Sequence, residues 1–389
     1  MTLRVGKLVY GIIKLLPCLL AVLLASSCSS DVNSDELKGN TTLVTLTIAA
    51  SGNAATASRT VSGNSSTITR AGVSDPTNKD FYIKDLTVLI FDENGDVIGS
   101  TTISDLSHSS DGKITISSDG KITIRVLTRA AKNCTVYAIA NALALNNNKT
   151  PFAGIATLSA LKSMVKSYTN ANVINDEPCL LMMGKTVDKS FDTTNSESAA
   201  AISLQRLASR IDFNFTVNND KTTGFPIVVD SYKLCNVPTS TFYQQSDFTN
   251  PSMPSVSAST SLYQSLELKT ETQKTYTCYV YTNIGTGTPK DKETYLDIQA
   301  HSDVQGDNGT KYTVWKSNFQ VKMPDNHVLP NYHYKIDIVI NGSVEGKNGG
   351  FIITYKAYPF FSGGNLDRWN DQWNNNNGQE KIDFDYVEK

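Results

Sequence analysis

The residues from Phe81 to Ile98 read FYIKDLTVLIFDENGDVI and contain the strongest strand signal in the chain. The part from Phe81 to Phe91 is rich in β-branched and aromatic side chains, which favour strands. The polar run Asp92 to Asp96 follows, with the Asn-Gly dipeptide typical of tight turns, and apolar residues resume at Val97. The stretch predicts an antiparallel hairpin and indicates a fold built from β-meanders.

Strand patterns of the same kind continue on both sides of this hairpin. The hexapeptide DGKITI occurs at residues 111–116 and again at 119–124, and each copy predicts a short alternating strand after an Asp-Gly turn. Further strands are predicted at residues 41–48, 135–140, 199–217, 227–234, 275–281, 295–301, 312–321, 334–340, 351–355 and 382–386. The polar, proline-containing stretch 239–261 is expected to be a loop.

One segment has helical rather than strand spacing. The apolar residues Leu158, Leu161, Met164 and Val165 share one face of a helix, so we expect a helix within Thr157–Tyr168 that packs on the sheet or caps its end. The chain is therefore predicted to be all-β, with one or two short helices.

Composition limits the classes of function. Charged residues make up only 19 % of the chain, whereas Thr, Ser, Asn and Tyr are plentiful, as in strand-rich extracellular proteins. The formal net charge is −2, and it becomes −5 when the three cations of residues 1–27 are left out. Acids and bases are mixed along the chain, so no nucleic-acid partner is predicted.

Residues 1–27 have the pattern of an export signal. Basic residues precede or enter an apolar run from Leu15 to Leu24, which Pro17 interrupts. The run is shorter than the roughly 20 apolar residues that a spanning helix needs. We therefore expect this segment to be cleaved.

The small residues Ala25, Ser26 and Ser27 stand directly before Cys28, and Leu24 precedes them. This resembles the lipobox of bacterial lipoproteins, whose cysteine is acylated and becomes the membrane anchor. Cys28 is therefore a candidate lipidation site, and an ordinary secretory signal with Cys28 as a free thiol is the alternative. The polar residues 29–35 are expected to form a flexible tether.

The first ordered element is predicted at Thr41–Ile48. Its apolar residues Val44, Leu46 and Ile48 alternate with Leu43, Thr45 and Thr47. The stretch 51–79 that follows is dominated by Ser, Thr, Gly, Asn and Ala, which is too poor in apolar residues to form a core. It should be an accessible loop. Two arginines within it, Arg59 and Arg70, are candidate protease sites.

No catalytic or metal-binding pattern is found. The four histidines, His108, His301, His327 and His333, have no ligand spacing, and neither a phosphate loop nor a nucleophile elbow is present. No cofactor is predicted. The Met182-Met183 pair is interpreted as part of a core strand, and the state of Cys134, Cys179, Cys235 and Cys278 is left open between bridges and buried thiols.

Several segments, taken in order, resemble the fimbrillins, the Bacteroidales pilus subunits that are made as lipoproteins. They are the lipobox-like residues 25–28, the strand and turn at 83–95, Val136–Asn141, Leu204–Asp212 and Leu329–Ile336. The resemblance implies two tandem transthyretin-like β-sandwich domains and a non-enzymatic structural subunit of a cell-surface fimbria that mediates adhesion.

A domain division follows from the resemblance and from the polar stretch at 188–198. We expect a lipoprotein signal peptide at 1–27 and a tether, N-terminal strand and propeptide at 28–70. An N-terminal β-sandwich domain is expected at 71–198, and a C-terminal one with a terminal strand at 199–389.

The resemblance also implies how such a subunit assembles. An arginine-specific protease removes the N-terminal strand after export, here after Arg59 or Arg70, and a strand of a neighbouring subunit fills the opened groove. The C-terminal residues Ile382, Phe384 and Tyr386 are the candidate donor strand.

The implied partners are other copies or related fimbrial subunits, the outer membrane through the lipid, and a host or bacterial surface receptor. The implied location is the cell surface. The alternatives are a non-polymerising anchor or tip subunit, or a glycan-binding lipoprotein that uses Trp369, Trp373 and Asn374–Asn377.

Overall fold

A computed structural model of the chain describes a series of ranges that together contain its strands and helices. These are residues 40–50, 76–77, 79–108, 114–117, 120–169, 172–193, 199–218, 227–254, 259–269, 273–285, 293–305, 311–323, 327–343, 350–361 and 376–383.

The described residues are mostly in β-strands. In the N-terminal half these are β1 (Thr41–Ala50), β2 (Leu86–Phe91), β3 (Val97–Ile103), β4 (Ile114–Ile116), β5 (Ile122–Arg129), β6 (Ala131–Ala140), β7 (Val165–Ser167), β8 (Met182–Phe191) and β9 (Ala199–Arg206). The remaining strands are β10 (Ala208–Asn218), β11 (Ile227–Pro238), β12 (Ser240–Phe242), β13 (Ser259–Lys269), β14 (Gln273–Tyr281), β15 (Tyr295–Gln305), β16 (Lys311–Lys322), β17 (Tyr332–Ser343), β18 (Gly350–Phe361) and β19 (Asn376–Asp383). Two short α-helices are α1 (Leu158–Ser163) and α2 (Asn172–Asp176), and Leu106–His108 and Ala144–Asn146 are single turns of 3-10 helix. The predicted all-β class is confirmed.

The N-terminal strands form one sheet that closes on itself. Its order is β9-β8-β6-β2-β3-β5-β4, and β1 pairs with both β9 and β5. The sheet folds over at the β8–β9 and β3–β5 seams, where glycines allow close approach. A Cβ on Gly184 would lie 2.3 Å from the carbonyl oxygen of Ser203, and one on Gly99 would lie 2.9 Å from that of Leu127. Both seams therefore need a residue without a side chain.

Apolar residues fill the space inside this sheet. They include Val44, Leu46 and Ile48 from β1, Val88 and Ile90 from β2, and others from β5, β6 and β9. The opposite face of β2 packs Leu89 and Phe91 into a second cluster with residues of α1 and the chain around it. Because both faces of β2 are covered, its sequence is apolar at every position except Thr87 rather than alternating.

The C-terminal strands form two further sheets, ordered β14-β10-β17-β18-β19 and β13-β11-β15-β16. Their facing sides share one core, in which Phe213 and Phe215 of β10 contact the ring of Tyr232 of β11. This is the arrangement of two stacked sheets in which alternate residues point inward.

The Asn-Gly hairpin has the predicted turn. Gly95 has φ +84°, and the Asp92 carboxylate accepts hydrogen bonds from the backbone N–H groups of Asn94 and Asp96. The strand before it begins at Leu86 rather than at the predicted Phe81. Residues 81–85 leave the sheet because Asp85 and its neighbours are hydrogen-bonded to another segment.

The predicted helix at 157–168 is correct only in its first half. Thr157 caps α1 by accepting a hydrogen bond from the N–H of Ala160, and Met164 then takes an extended conformation. Residues 165–167 instead form β7, which pairs with β12. Strand pairing with a distant segment overrides the local helical pattern here, and it also places a short strand inside the predicted loop 239–261.

The single long strand predicted at 199–217 is two strands in different sheets. The chain bends at Leu207, so that β9 joins β1 and β8, whereas β10 joins β14 and β17. The change of sheet thus comes at Leu207, later than the predicted domain limit at 198/199. Periodicity could not show the break, because Leu207 is itself buried and apolar.

Two other elements differ from prediction. Strand β13 was not predicted. The last described strand runs from Asn376 to Asp383 and thus begins before the predicted residue 382, whereas residues 384–386 lie outside the described residues. The predicted core strand at Met182-Met183 is confirmed, with the two side chains buried in different clusters. Cys134, Cys179, Cys235 and Cys278 are all buried free thiols. None of the described helices is both long and apolar enough to cross a membrane.

Two buried polar side chains fix the segment before β2. Asp85 accepts hydrogen bonds from the N–H groups of Leu143 (3.0 Å) and Ala144 (2.8 Å). The side chain of Asn141 donates to the carbonyl oxygens of Tyr82 and Leu180 and accepts from the N–H of Lys84. Burial raises the pKa of Asp85 to about 6, although its two backbone donors oppose this shift.

We expect Asp85→Asn to destabilise the fold by about 1–3 kcal/mol, because the new amide group faces a backbone donor. The raised pKa means that Asp85 contributes stability fully below about pH 4, and that this contribution is lost as the pH rises through about 6. Urea denaturation at pH 4 to 7 should therefore show a pH slope that the variant lacks. The exposed Asp96→Asn is the control, and an unchanged slope in Asp85→Asn would contradict this assignment.

Candidate functional site: the seat of the N-terminal strand

The N-terminal strand lies between two partners. It pairs antiparallel with β5, from Thr41 opposite Arg129 to Ile48 opposite Ile122. On its other edge it pairs parallel with β9, from Thr45 opposite Ala199 to Ala50 opposite Leu204. β1 is therefore an interior strand, although a long stretch of sequence separates it from β2.

Alternate residues of β1 point into the core. Val44, Leu46 and Ile48 are fully buried, and Ala50 is nearly so. They share their cluster with the inward side chains of both flanking strands, which we call the β1 seat: Ile122, Ile124, Val126, Ala200, Ile202 and Leu204. Each fully buried Val, Leu or Ile contributes about 1.5–3 kcal/mol, so β1 is a major part of the hydrophobic core.

The strands that form the seat depend on β1. In the described residues, β9 pairs with β8 at Met182–Arg206 and Met183–Gln205, beyond residues 199–204, which pair with β1. Removal of β1 would leave the inner edges of β5 and β9 unpaired and the seat open to water. An extended segment with alternating apolar residues is the ligand that such a groove would bind.

The outer face of the seat is basic and contains exposed apolar side chains. Leu43 and Leu127 are opposite each other across β1 and β5 and are 42 % and 45 % exposed. Arg125 and Arg129 are on the same side of β5, opposite Thr45 and Thr41 of β1.

A charged cluster joins the N-terminal chain segment to the C-terminal sheet. Asp80 forms an ion pair with Arg210 (2.8 Å), which also donates to Asp212 (3.0 Å). Asp212 accepts a further hydrogen bond from Thr277, and His333 Nε2 lies 2.6 Å from its other oxygen. Burial opposes ionisation of Asp212, but the hydrogen bonds from His333, Thr277 and Arg210 outweigh it and hold its pKa well below the usual range.

Two of the fimbrillin-like segments meet at this junction. The side chain of Asn331 accepts hydrogen bonds from the backbone N–H and the guanidinium of Arg206. The backbone N–H of Asn331 donates to the carbonyl oxygen of Ala208. The Arg206 guanidinium lies over the ring of Phe81. Residues 204–212 and 329–336 therefore form one structural unit that connects the sheets.

The predicted site residues lie mostly outside the described residues. This holds for Cys28, Arg59, Arg70, Phe384 and Tyr386. Ile382 belongs to β19, in register with Phe351 of β18. Trp369 and Trp373 also fall outside the described ranges, whereas His333 contacts the carboxylate of Asp212.

The sequence analysis did not identify the residues of the seat. The DGKITI repeat pointed to β5 as a strand, and alternation pointed to β9, but neither signal shows which strands flank β1. Pairing between residues about 80 and 155 positions apart leaves no local pattern.

Among the described residues, no group of three or more His, Cys, Asp or Glu side chains is placed to hold a metal ion. The geometry of this part of the chain is instead that of an all-β protein whose terminal strand completes a sheet. When the strand at such a position leaves, an extended segment of another chain can take its place.

The family model of the major fimbrial subunit protein (FimA) matches residues 44–229, from within β1 to the beginning of β11. Over this range the chain is similar to the fimbrillins, a family of structural subunits of cell-surface fimbriae. A comparison with curated protein sequences finds no match.

One solved structure shares the fold, and others are similar to it. A proposed cell adhesion protein from Parabacteroides distasonis is 17 % identical and has a TM-score of 0.53, over 89 % of this chain and 98 % of that one. A fimbrilin from Porphyromonas gingivalis W83 is 13 % identical with a TM-score of 0.46, over 83 % and 99 %. The tip fimbrial protein of the same species is 12 % identical with a TM-score of 0.45, over 82 % and 99 %.

Proposed function

We propose that this chain is a fimbrial subunit that polymerises by strand exchange after proteolysis. In this proposal residues 1–27 direct export, Cys28 carries the lipid that holds the precursor at the outer membrane, and an arginine-specific protease cuts after Arg59 or Arg70. β1 then leaves, and the vacated seat binds the C-terminal strand of another copy.

The observation that carries the proposal is the position of β1. It supplies buried residues to the core and pairs on both edges, yet it is joined to the rest of the chain through residues 51–75, which contain both candidate arginines. Cutting this connection breaks the covalent link between β1 and the rest of the chain, whereas the β1 seat remains on β5 and β9. The seat would then accept any strand with the same apolar alternation.

The candidate donor is the C-terminal segment, with Ile382, Phe384 and Tyr386 in the places of alternate inward residues. Their spacing of two residues matches that of Val44, Leu46 and Ile48. Part of this segment is β19, the last strand in its sheet, which pairs with β18 alone. Donation to a second copy would require it to leave that edge.

The test is limited cleavage of purified full-length protein by an arginine-specific protease. We expect N-terminal sequencing to show a start at residue 60 or 71, and gel electrophoresis to show a ladder of SDS-resistant multimers. The variant R59K/R70K, which keeps the charge and removes the cleavage residue, should remain monomeric. Protein that is cut, loses β1 and stays monomeric would argue decisively against strand exchange.

A second candidate is a non-polymerising anchor or tip subunit. It is favoured by the pairing of β19 with β18, which holds Ile382 and Asp383 of the candidate donor within its own chain. Such a subunit would keep β1 and acylated Cys28, so mass spectrometry of the native cell-surface protein separates the two proposals. A surface receptor, which adhesion requires, would be a partner of a polymerising or a non-polymerising subunit. Glycan binding would be tested with the same native cell-surface protein.

A further inference from the structure

The outer face of the β1 seat contains positive charge that β1 does not neutralise. Arg125 is exposed on β5, and its direct neighbour across the strand pair is Thr45. Arg129, on the same face, is opposite Thr41. Among the described residues, neither arginine has a carboxylate partner, and the β9 neighbours of Thr45 and Thr47 are alanines.

The candidate donor segment has the complementary pattern. In residues 382–386 the apolar residues Ile382, Phe384 and Tyr386 alternate with the acids Asp383 and Asp385. A strand that turns the three apolar side chains into the seat must turn both acids to the outer face. The acids that make this segment polar for a core strand are thereby placed beside β5.

We propose that Arg125 selects the acidic C-terminal strand of a second copy over other extended segments by pairing with its outward carboxylates. This inference rests on the proposed function, because it concerns the occupant of the vacated seat. Thr45 offers Arg125 no charge, so exchange of β1 for the donor adds an ion pair that the described residues of the closed monomer lack.

The register supports this pairing. When a donor runs in the direction of β1 with Ile382, Phe384 and Tyr386 at the positions of Val44, Leu46 and Ile48, Asp383 takes the place of Thr45, opposite Arg125. Asp385 then takes the place of Thr47, diagonal to Arg125 at about 7–8 Å. The pairs are at the surface, so they provide selectivity and faster association rather than most of the affinity.

The test uses capture of a labelled peptide during cleavage of the full-length protein. The peptide comprises residues 376–389, and a neutral version carries Asp383→Asn and Asp385→Asn. At low salt we expect the acidic peptide to enter the SDS-resistant complex about 3- to 10-fold faster than the neutral one, from two cross-strand charge pairs. The ratio should approach one at high salt and in the variant R125Q/R129Q.

Matched variants separate charge from fold. The exposed Lys162→Gln in α1 removes one positive charge away from the seat and should keep the preference. Arg125→Glu should reverse it, capturing a peptide with Asp383→Lys and Asp385→Lys faster than the acidic one.

Two results would overturn the inference. Equal capture of acidic and neutral peptides by the unmodified protein, at all salt concentrations, would disprove selection by Arg125 and leave strand exchange intact. Capture of neither peptide after β1 has been cut and released would refute the proposed function and this inference together.

Discussion

Leu46→Asp should cost the protein at least about 4 kcal/mol of unfolding free energy, a large part of the total for a domain. Leu46 is fully buried in the core that β1 completes. The substitution removes an apolar side chain worth about 2–3 kcal/mol and places a carboxyl group among Ile and Val residues of the seat. Urea denaturation followed by tyrosine and tryptophan fluorescence measures the loss.

The matched control is Leu43→Asp, three residues earlier in the same strand. Leu43 points outward and is 42 % exposed, so the same chemical change should cost less than about 1 kcal/mol. Equal losses for the two variants would mean that β1 does not occupy its seat in solution. The comparison thus tests the seated strand without any protease.

Asp212→Ala is expected to destabilise the fold by about 3–5 kcal/mol, because it removes the common partner of three side chains. Those partners are Arg210 beside it, Thr277 on β14 and His333 on β17. Loss of the carboxylate removes this acceptor from donors on three adjacent strands, and of its described partners Arg210 keeps the ion pair with Asp80. The measurement is again the free energy of unfolding in urea, at neutral pH.

The pH dependence provides an independent check on Asp212. Its pKa is lowered in the folded state, so its contribution is present above the unfolded value of about 4 and is lost as the pH falls through the folded value. Below pH 4 the wild type should therefore lose stability, and Asp212→Ala should lose less. Asp337→Ala, on the same sheet and hydrogen-bonded to Asn214 at 2.7 Å, should cost only about 1 kcal/mol. A cost as large as that of Asp212→Ala would show that the cluster has no special role.

The local sequence pattern predicted the strands wherever one face of a strand is buried and the other faces solvent. β1, β5 and β10 alternate, and the Asn-Gly turn is specified by the conformation that only glycine adopts easily. Prediction was less accurate where a distant partner decides the local conformation. The helical spacing of 158–165 gave way to β7 at its end because β12 supplies a strand partner there.

The candidate site shows the same division. The sequence indicated that Thr41–Ile48 is a strand with an apolar face and that two arginines follow it. It did not indicate that Ile122, Ile124 and Val126 face that strand, nor that Arg125 and Arg129 border it on the outside. Likewise, the Asp212 cluster unites residues from four separate segments that have no spacing in common.

By itself, the sequence determined the all-β class, the hairpin, the alternating face of the N-terminal strand and the polar stretch with its two arginines. These depend on periodicity and turn chemistry, which act over a few residues. Only the tertiary structure decided which strands flank β1, where the chain passes from one sheet to the next, and which charges border the seat. Strand pairing joins residues far apart in the chain, and backbone hydrogen bonds between strands are the same for every sequence, so core packing selects the partners.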